Sequence, residues 1–391
     1  MGKTLLVFAG KYEGNSAGAK RVRQLARGLR DAGDDACVIS YRRGARAAND
    51  ALIWMTDEWG VEYSNVNVAE GTIRNPQVLG DGMTLSARLG ELAGIAMHQR
   101  GFDRAYVYGG RWIGLHGVLG RICRAAVPMV ADMNEWFRWH EGTRYAVLDQ
   151  TLFRRFCVSK LTGIVGISTF WADYARSVAK PAILIPAMCD DEFDDLEPPA
   201  AEVFNLVYVG SLCWRDLPQT MLNGVRLAIQ RGCKFRFIIL TATSSFPEAS
   251  SALRRLRSDP LLSTCSEITG WVERARLREI FRDAGAFLIL RKNDWESRAS
   301  FPTRVPEFLS SGRPVIMSNC GDASMQLLHR KSAWLLPEGD APRELADAIC
   351  HLAAHRAEGR QIGQVGRKLA ETAYGFRHHG RRLKGFLDEL Q

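Results

Sequence analysis

From its first residues the chain alternates between short apolar runs and longer stretches whose apolar positions recur every three or four residues. LLVFA, from Leu5, has the character of a buried strand. A glycine-rich loop, GKYEGNSAG, follows, and then a segment with Val22, Leu25 and Leu29 in helical phase. ACVIS, AYVYGG, VPMVAD, GIVGIS and AILIP repeat the strand signal. Helical patterns separate them: one ends near His98, one runs through Ile113–Ala125, a long one lies around 145–160 and another near 170–178. The polar region from Asn49 to Gly82 breaks the rhythm and predicts a lid or acceptor loop.

Residues 189–202, CDDEFDDLEPPAAE, are acidic, contain two prolines and have no apolar period, as a linker would. Beyond them NLVYVG, FRFIIL, EITG, AFLIL, PVIMS and AWLL restart the alternation. Met221, Val225 and Ala228, and later Leu345, Ile349 and Leu352, are in helical phase. The pattern predicts two doubly wound, Rossmann-like α/β domains, 1–188 and 204–372, joined by a linker over 189–203. A basic helix over 373–391 is expected to pack back on the first domain. Ligands of such sheets collect at the carboxyl ends of the strands. Two sheets facing each other would therefore share a site in the cleft between them.

Composition narrows the function classes. No apolar run approaches the ~18 residues of a membrane-spanning helix, and the N-terminus lacks a signal-peptide layout, so a cytoplasmic protein is expected. Nine cysteines are dispersed without a CxxC pair, as buried thiols of a reducing compartment are. The eight histidines form no ligand set with an acid, and no metal is expected. The net charge of +9 lies almost wholly in the second half, which suits an anionic ligand. No nucleic-acid module accompanies it, so nucleic acid is not an expected partner. The tail residues Arg377, His378, His379, Arg381, Arg382 and Lys384 suit either a peripheral contact with an anionic membrane at its inner face or the solvated side of a packed helix.

Neither GxGxxG nor a P-loop occurs, which weakens dehydrogenase and NTPase readings. Three other segments gather around predicted strand ends. In YVGSLCWRD, Gly210 permits close backbone approach, and Ser211 and Arg215 are placed to meet an anionic oxygen. The strand AFLIL runs directly into Arg291-Lys292, a cationic end suited to a diphosphate. In SFPTRVPEFLSSGRPVI a short helix from Arg304 to Ser311 is expected, with Thr303 as N-cap, Pro306 in the first turn and Gly312 as the stop. Its free N–H groups and Arg304 would face phosphates, and Glu307 would accept from ribose hydroxyls. Taken singly, each feature is equally a surface charge or a strand end.

As a set, LRKNDWESRASFPTRVPEFLSSGRPVI, VYVGSLCWRD and ILIPAMCDDEF resemble the family-4-type retaining glycosyltransferases of the GT-B fold. The similarity spans most of residues 160–355. It implies that Glu307 binds the ribose of a nucleotide-sugar, that Arg304 with Arg215 or Arg291 meets the diphosphate, and that the amides of Ser300, Phe301, Pro302 and Thr303 approach phosphate and sugar. It implies retention of configuration without a metal or cofactor, the cations stabilising the leaving diphosphate. Two departures stand out. Ala299 occupies the place where the family often has a glutamate, with Glu296 near but off register, and Arg304 replaces the usual Lys.

In the first domain, Asn15, Ser16 and Gly18 are candidate contacts for acceptor hydroxyls, with Gly10 and Gly14 permitting close approach. VADMNEWFRWH offers Asp132, Asn134, Glu135 and His140 among aromatics, a mixture that suits carbohydrate. Asp132 and Glu135 are the candidates there, and neither is identified as a base. Arg215, Arg291 and Glu135 are the candidate catalytic residues. The expected activity is transfer from a nucleotide-diphosphate-sugar to a glycan, lipid-linked or small-molecule acceptor in polysaccharide or glycoconjugate synthesis. A nucleotide-sugar epimerase or hydrolase, or a non-catalytic nucleotide-sugar-binding partner subunit, is the alternative.

Overall fold

The computed structural model describes residues 2–43, 52–68, 79–137, 144–193, 196, 202–241 and 246–391. The chain divides into two compact units, Met1–Met188 with Phe376–Gln391, and Cys189–Gly375. Each is a doubly wound α/β domain of the kind the alternation predicts.

The first unit is built on strands β1 (Lys3–Val7), β2 (Asp35–Arg43), β3 (Met55–Thr56), β4 (Glu62–Val68), β5 (Arg104–Tyr108), β6 (Met129–Met133), β7 (Gly163–Gly166) and β8 (Ala182–Leu184). Their order in the sheet is β3-β4-β2-β1-β5-β6-β7-β8, parallel except for the β3–β4 pair. The chain winds outward from β1 in one direction and then returns to its other side at β5. The ends of β1 and β5 therefore flank the topological switch point, where ligands of such sheets bind. Leu6, Val38, Tyr106, Val130 and Val165 on the sheet pack with Val22, Leu25 and Leu29 of the helix Ala17–Asp31. Burial of each such side chain contributes about 1.5–3 kcal/mol.

The second unit uses β9 (Phe204–Val209), β10 (Phe235–Leu240), β11 (Ser266–Thr269), β12 (Ala286–Ile289), β13 (Val315–Ser318) and β14 (Trp334–Leu336), in the order β11-β10-β9-β12-β13-β14. Its switch point lies between β9 and β12. Leu206, Phe237, Ile239 and Leu288 meet Met221, Val225 and Ala228 of the helix Pro218–Gln230, and Leu345, Ile349 and Leu352 of the helix Pro342–Ala354.

Two segments differ from the sequence expectation. The polar stretch 49–82 is in part sheet, because β3, β4 and the start of the helix Leu79–Arg100 fall within it; residues 49–51 and 69–78 of the expected lid lie outside the described residues. Polar pairs replace apolar alternation in β4. Asn65 accepts from the Ser40 hydroxyl and donates to Glu13, so a buried polar strand costs little. The start of the expected linker folds into the second unit, where Phe193 stacks on Phe281 at 4.2 Å; residues 194, 195 and 197–201 lie outside the described residues. The terminal helix Phe376–Glu389 places Phe376, Leu383 and Leu387 in the core of the first unit. Its charges are used in that packing. Arg377 pairs with Asp31 at 3.2 Å, Arg382 donates to the Leu184 carbonyl at 2.9 Å, and Lys384 bonds Asp388 at 2.6 Å.

Candidate functional site

In the second unit, β9 and β12 end side by side, and a network built around Asp216 joins the turns that leave them. Asp216 sits on a 3₁₀ turn, Trp214–Asp216, just after β9. Its Oδ2 accepts from the Tyr208 hydroxyl at 2.9 Å and from Ser211 Oγ at 3.5 Å. Its Oδ1 lies 3.9 Å from Arg291 Nε, at the end of β12. The Lys292 amide donates to the Arg215 carbonyl at 3.1 Å, which ties the turn to the strand end. A Cβ on Gly210 would lie 2.3 Å from the Tyr208 hydroxyl, so only glycine lets the chain cross that ring. Leu212 and Leu217 hold left-handed backbone, with φ of 52° and 47°. Such strain persists where the surroundings enforce it, and it clusters at ligand sites. Here the Leu212 amide is fixed by a 3.0 Å bond to the Tyr208 oxygen.

The crossover from β12 to β13 carries the remaining candidates. Asp294 caps the short helix Trp295–Ala299 by accepting from the Ser297 amide at 2.9 Å. Ala299 is wholly buried there and Glu296 nearly so. The next helix is Arg304–Ser310, with Gly312 at φ +71° beyond it, close to expectation. Phe308 stacks on Phe287 at 4.1 Å and holds this helix on the sheet.

Its opening differs from the expected cap. Thr303 already has helical backbone and its side chain makes no cap hydrogen bond. In the preceding loop, the Ser300 amide is committed to the Glu296 carbonyl at 3.1 Å, and Pro302 has no N–H to donate. Phe301 is turned inward, edge-on to Tyr374 at 5.8 Å. Of the four loop residues only the amides of Phe301 and Thr303 remain as donors for a phosphate. Arg304 and Glu307 face each other rather than standing apart: Nη1 donates to Oε2 at 2.7 Å. The attraction of Glu307, first of all, holds the Arg304 guanidinium above its usual pKa.

In the first unit, the loop after β1 is pinned rather than slack. The Tyr12 side chain is buried and bonds Asp57 at 2.7 Å, and Arg23 donates to the Tyr12 carbonyl at 2.6 Å. Asn15 and Ser16 are exposed at its end. Ser16 caps the helix Ala17–Asp31 by accepting from the Ala19 amide at 3.1 Å, which leaves its O–H free to donate elsewhere. Gly18 lies against the Tyr108 hydroxyl, which is 2.9 Å from where a Cβ would be.

Asp132, expected to face an acceptor, is instead fully buried. Arg21 Nε and Nη2 donate to its two oxygens at 2.6 and 3.0 Å, and the Tyr106 hydroxyl donates to Oδ2. Three donors engage the carboxylate away from solvent, and it ties β6 to the helix Ala17–Asp31. Glu135, three residues on, is exposed, and its carbonyl accepts from Gln150. His140 lies outside the described residues. The arrangement adds two groups that sequence patterns did not single out, the Tyr108 hydroxyl, which no hydrogen bond reaches among the described residues, and the buried Ser168 Oγ, and it leaves the buried Nδ2 of Asn134, already named from the sequence, without a partner. Burial, and then Asp132, raise the Tyr108 phenol above its usual pKa and keep it a donor. Tyr108 ends β5, and Asn134 and Ser168 come just after β6 and β7. Topology reveals the two hydroxyls, because an isolated Tyr or Ser in sequence carries no signal.

Among the described residues one close group of potential metal ligands exists, Asp35, Cys37 and Glu62. Arg100 already occupies it, with its two terminal nitrogens 3.0 and 2.9 Å from Glu62 and one of them 3.1 Å from Cys37 Sγ. It is an ion pair at the opposite edge of the sheet from the switch point.

Comparison with known proteins meets this geometry. A model of the glycosyl transferase 4-like domain matches residues 16–186, and one of glycosyl transferases group 1 matches residues 203–355. The chain is a GT-B fold glycosyltransferase related to these families. Solved structures with the same fold include sucrose-phosphate synthase from Thermosynechococcus elongatus, with a TM-score of 0.72, 15% identity and coverage of 100% of this chain and 99% of that one. A glycosyltransferase from Rickettsia africae gives 0.73 at 13% identity, covering 100% and 98%. Anabaena HepE in complex with UDP-glucose gives 0.69 at 14% identity, covering 99% of both. In sequence, the amylovoran biosynthesis glycosyltransferase AmsK of Erwinia amylovora is 24% identical over 171 residues, 43% of this chain and 40% of that protein. The second matched region contains all six strands of the second sheet, and the first contains every strand of the first sheet except β1. No helix among the described residues is long and apolar enough to cross a membrane.

Proposed function

We propose that this GT-B fold glycosyltransferase transfers a sugar from a nucleoside-diphosphate sugar to an acceptor hydroxyl with retention, in the synthesis of a polysaccharide or glycoconjugate. The observation that carries the proposal is the Asp216 network at the second switch point. It gathers Ser211 and Arg291, next to Gly210, where β12 leads into the crossover that bears Arg304 and Glu307. The resemblance to the family, and the relative named for amylovoran synthesis, support the polymer class of product.

In the free protein Arg304 and Glu307 neutralise each other. An i,i+3 pair with one partner partly exposed contributes about 0.3–0.5 kcal/mol. A hydrogen bond from a cation to a phosphate contributes about 1.5–3 kcal/mol, so a diphosphate outcompetes Glu307 for Arg304. Glu307 is then left nearly buried and must find donors, which ribose hydroxyls supply. The helix thus exchanges an internal pair for two contacts with the nucleotide. Arg291 stands at the strand end beside it. In the reaction the bond from the anomeric carbon to the diphosphate oxygen breaks, and the acceptor oxygen takes its place on the same face. The acceptor proton leaves with the released diphosphate. Arg291 and Arg304 stabilise the charge that develops on that leaving group, and the reading needs no metal. Arg215, whose guanidinium lies 5.4 Å from the Trp214 ring, is the weaker candidate for this role.

On the acceptor side, Asn15, Ser16, Tyr108, Asn134, Glu135 and Ser168 are the proposed polar contacts. The test is calorimetry against nucleoside diphosphates, followed by mass spectrometry and anomeric NMR of products formed from a nucleotide-sugar panel with mixed glycan acceptors. Transfer with retained configuration is expected. Release of free sugar without transfer in every acceptor mixture would replace the proposal with a hydrolase, and binding without turnover would replace it with a nucleotide-sugar-binding subunit.

A further inference from the structure

One surface of the first unit takes no part in the site or in packing. The helix Arg144–Phe156 turns Tyr145, Leu148 and Phe156 to solvent, 81%, 54% and 53% exposed, with half-buried Leu152 continuing the stripe. A soluble surface seldom leaves three large apolar side chains aligned on one helix. The charge around them is of one sign. Asp149 is the only acid of this helix, and it is buried, accepting from Arg111 Nε and the Ile113 amide, each at 2.7 Å. Those bonds hold the neighbouring helix, Trp112–Arg124, alongside. At the far ends of the two helices Cys157 is buried, which first of all raises its thiol pKa, and Cys123 is close enough to add to that rise. The exposed cations of these two helices and the turn just beyond are Arg121, Arg124, Arg144, Arg155 and Lys160. None of the five has a carboxylate partner among the described residues. Residues 111–128 and 144–162 contain no acid besides Asp149.

We infer that this face docks on an anionic lipid surface, with Tyr145, Leu148 and Phe156 seated at headgroup level and the five cations on lipid phosphates. An apolar stripe flanked by Arg and Lys is what an interfacial helix requires. The long cationic side chains reach phosphates while their stems lie over acyl carbons. A second copy of this chain is a poorer occupant, because the face would bring five cations against five. The basic terminal helix is poorer too, since Arg377, Arg382 and Lys384 are bound within the first unit. The inference does not depend on the proposed transfer reaction.

The experiment is co-sedimentation of the full chain with vesicles of phosphatidylcholine alone and of phosphatidylcholine mixed with phosphatidylglycerol. Binding to the mixed vesicles only is expected, weakening as salt is raised. The triple variant Tyr145→Ser, Leu148→Ser, Phe156→Ser should lose it while melting at the wild-type temperature, because all three side chains are exposed. Arg121→Gln and Arg155→Gln should each lower partitioning about fivefold. Absence of binding, equal binding to neutral vesicles, or full binding by the triple variant overturns the inference. So does loss of binding with Arg381→Gln in the terminal helix but not with the triple variant, or a dimer in light scattering that the triple variant dissolves.

Discussion

Each unit sets an arginine against a carboxylate near the carboxyl edge of its sheet, and the two pairs differ in how completely they are closed. Arg21 and Asp132 have side chains 5% and 0% exposed. Arg21 spends its other donors on the carbonyls of Pro186 and Ile185, at 2.7 and 2.8 Å, so that β6 is tied to the chain leaving β8. Arg304 is 41% exposed and Glu307 8% exposed, and the bond between them spans a single helical turn. A closed pair has no capacity left for a ligand, whereas a half-open one can exchange partners. The same residue types thus make a brace in one unit and the proposed binding element in the other, and burial with donor count tells them apart.

The largest effect should come from breaking the brace. Asp132→Ala leaves a buried guanidinium without its carboxylate, a loss of about 3–5 kcal/mol. Urea unfolding followed by circular dichroism should show the first unit melting early, with nucleotide affinity of surviving protein unchanged. Replacing both members, Arg21→Met with Asp132→Leu, should recover most of that stability, since a matched apolar pair avoids the orphaned charge. A stable Asp132→Ala protein that fails only in using its acceptor would make Asp132 a ligand contact after all.

Opening the second pair should do the reverse. Arg304→Ala should cost less than about 0.5 kcal/mol of stability, as partly exposed pairs do. Yet it should weaken nucleoside-diphosphate binding about 10- to 100-fold, the worth of one charge-assisted phosphate contact. Glu307→Gln should lower affinity for the ribonucleotide more than for inorganic pyrophosphate, because its proposed partner is the ribose. Equal losses for both ligands would move Glu307 to the phosphates, and no loss for either would remove this helix from the site. Smaller again is Asp216→Asn, which keeps the shape but loosens Arg291. Turnover should fall about tenfold, the order expected for a positioning defect, with the nucleotide dissociation constant nearly unchanged.

The fold was legible because both sheets are parallel but for the β3–β4 pair and are buried on two faces, so that their strands read as near-continuous apolar runs. Only β3 and β4, where Ser40, Asn65 and Glu13 satisfy one another, escaped the pattern. For the proposed donor side the residue types at strand ends pointed to Gly210, Ser211, Arg291, Arg304 and Glu307, and the topology puts Gly210, Ser211 and Arg291 at one switch point. Their mutual bonds could not be read: that Arg304 rests on Glu307 depends on rotamers, and that Asp216 links two strands depends on their adjacency. Asp132 misled for the same reason. Its partner Arg21 lies 111 residues away in sequence, so a carboxylate among aromatics looked available when it was already bound.

The smallest effects distinguish a ligand contact from a packing group most cleanly, and they fall on Tyr108 and Ser168. Neither hydroxyl has a hydrogen-bond partner among the described residues. Removing a bonded hydroxyl normally costs stability, because its partner is stranded. Removing one that is already unpartnered strands nothing, so Tyr108→Phe and Ser168→Ala should leave the unfolding midpoint unchanged or slightly raised. In the complex an acceptor oxygen loses its bond, and the acceptor KM should rise about three- to tenfold, from a neutral hydrogen bond's 0.5–1.5 kcal/mol. The donor KM should stay put. If stability falls and the acceptor KM does not move, these hydroxyls belong to the core of the first unit, and the contrast between the two carboxyl edges extends to every polar group along β5–β7.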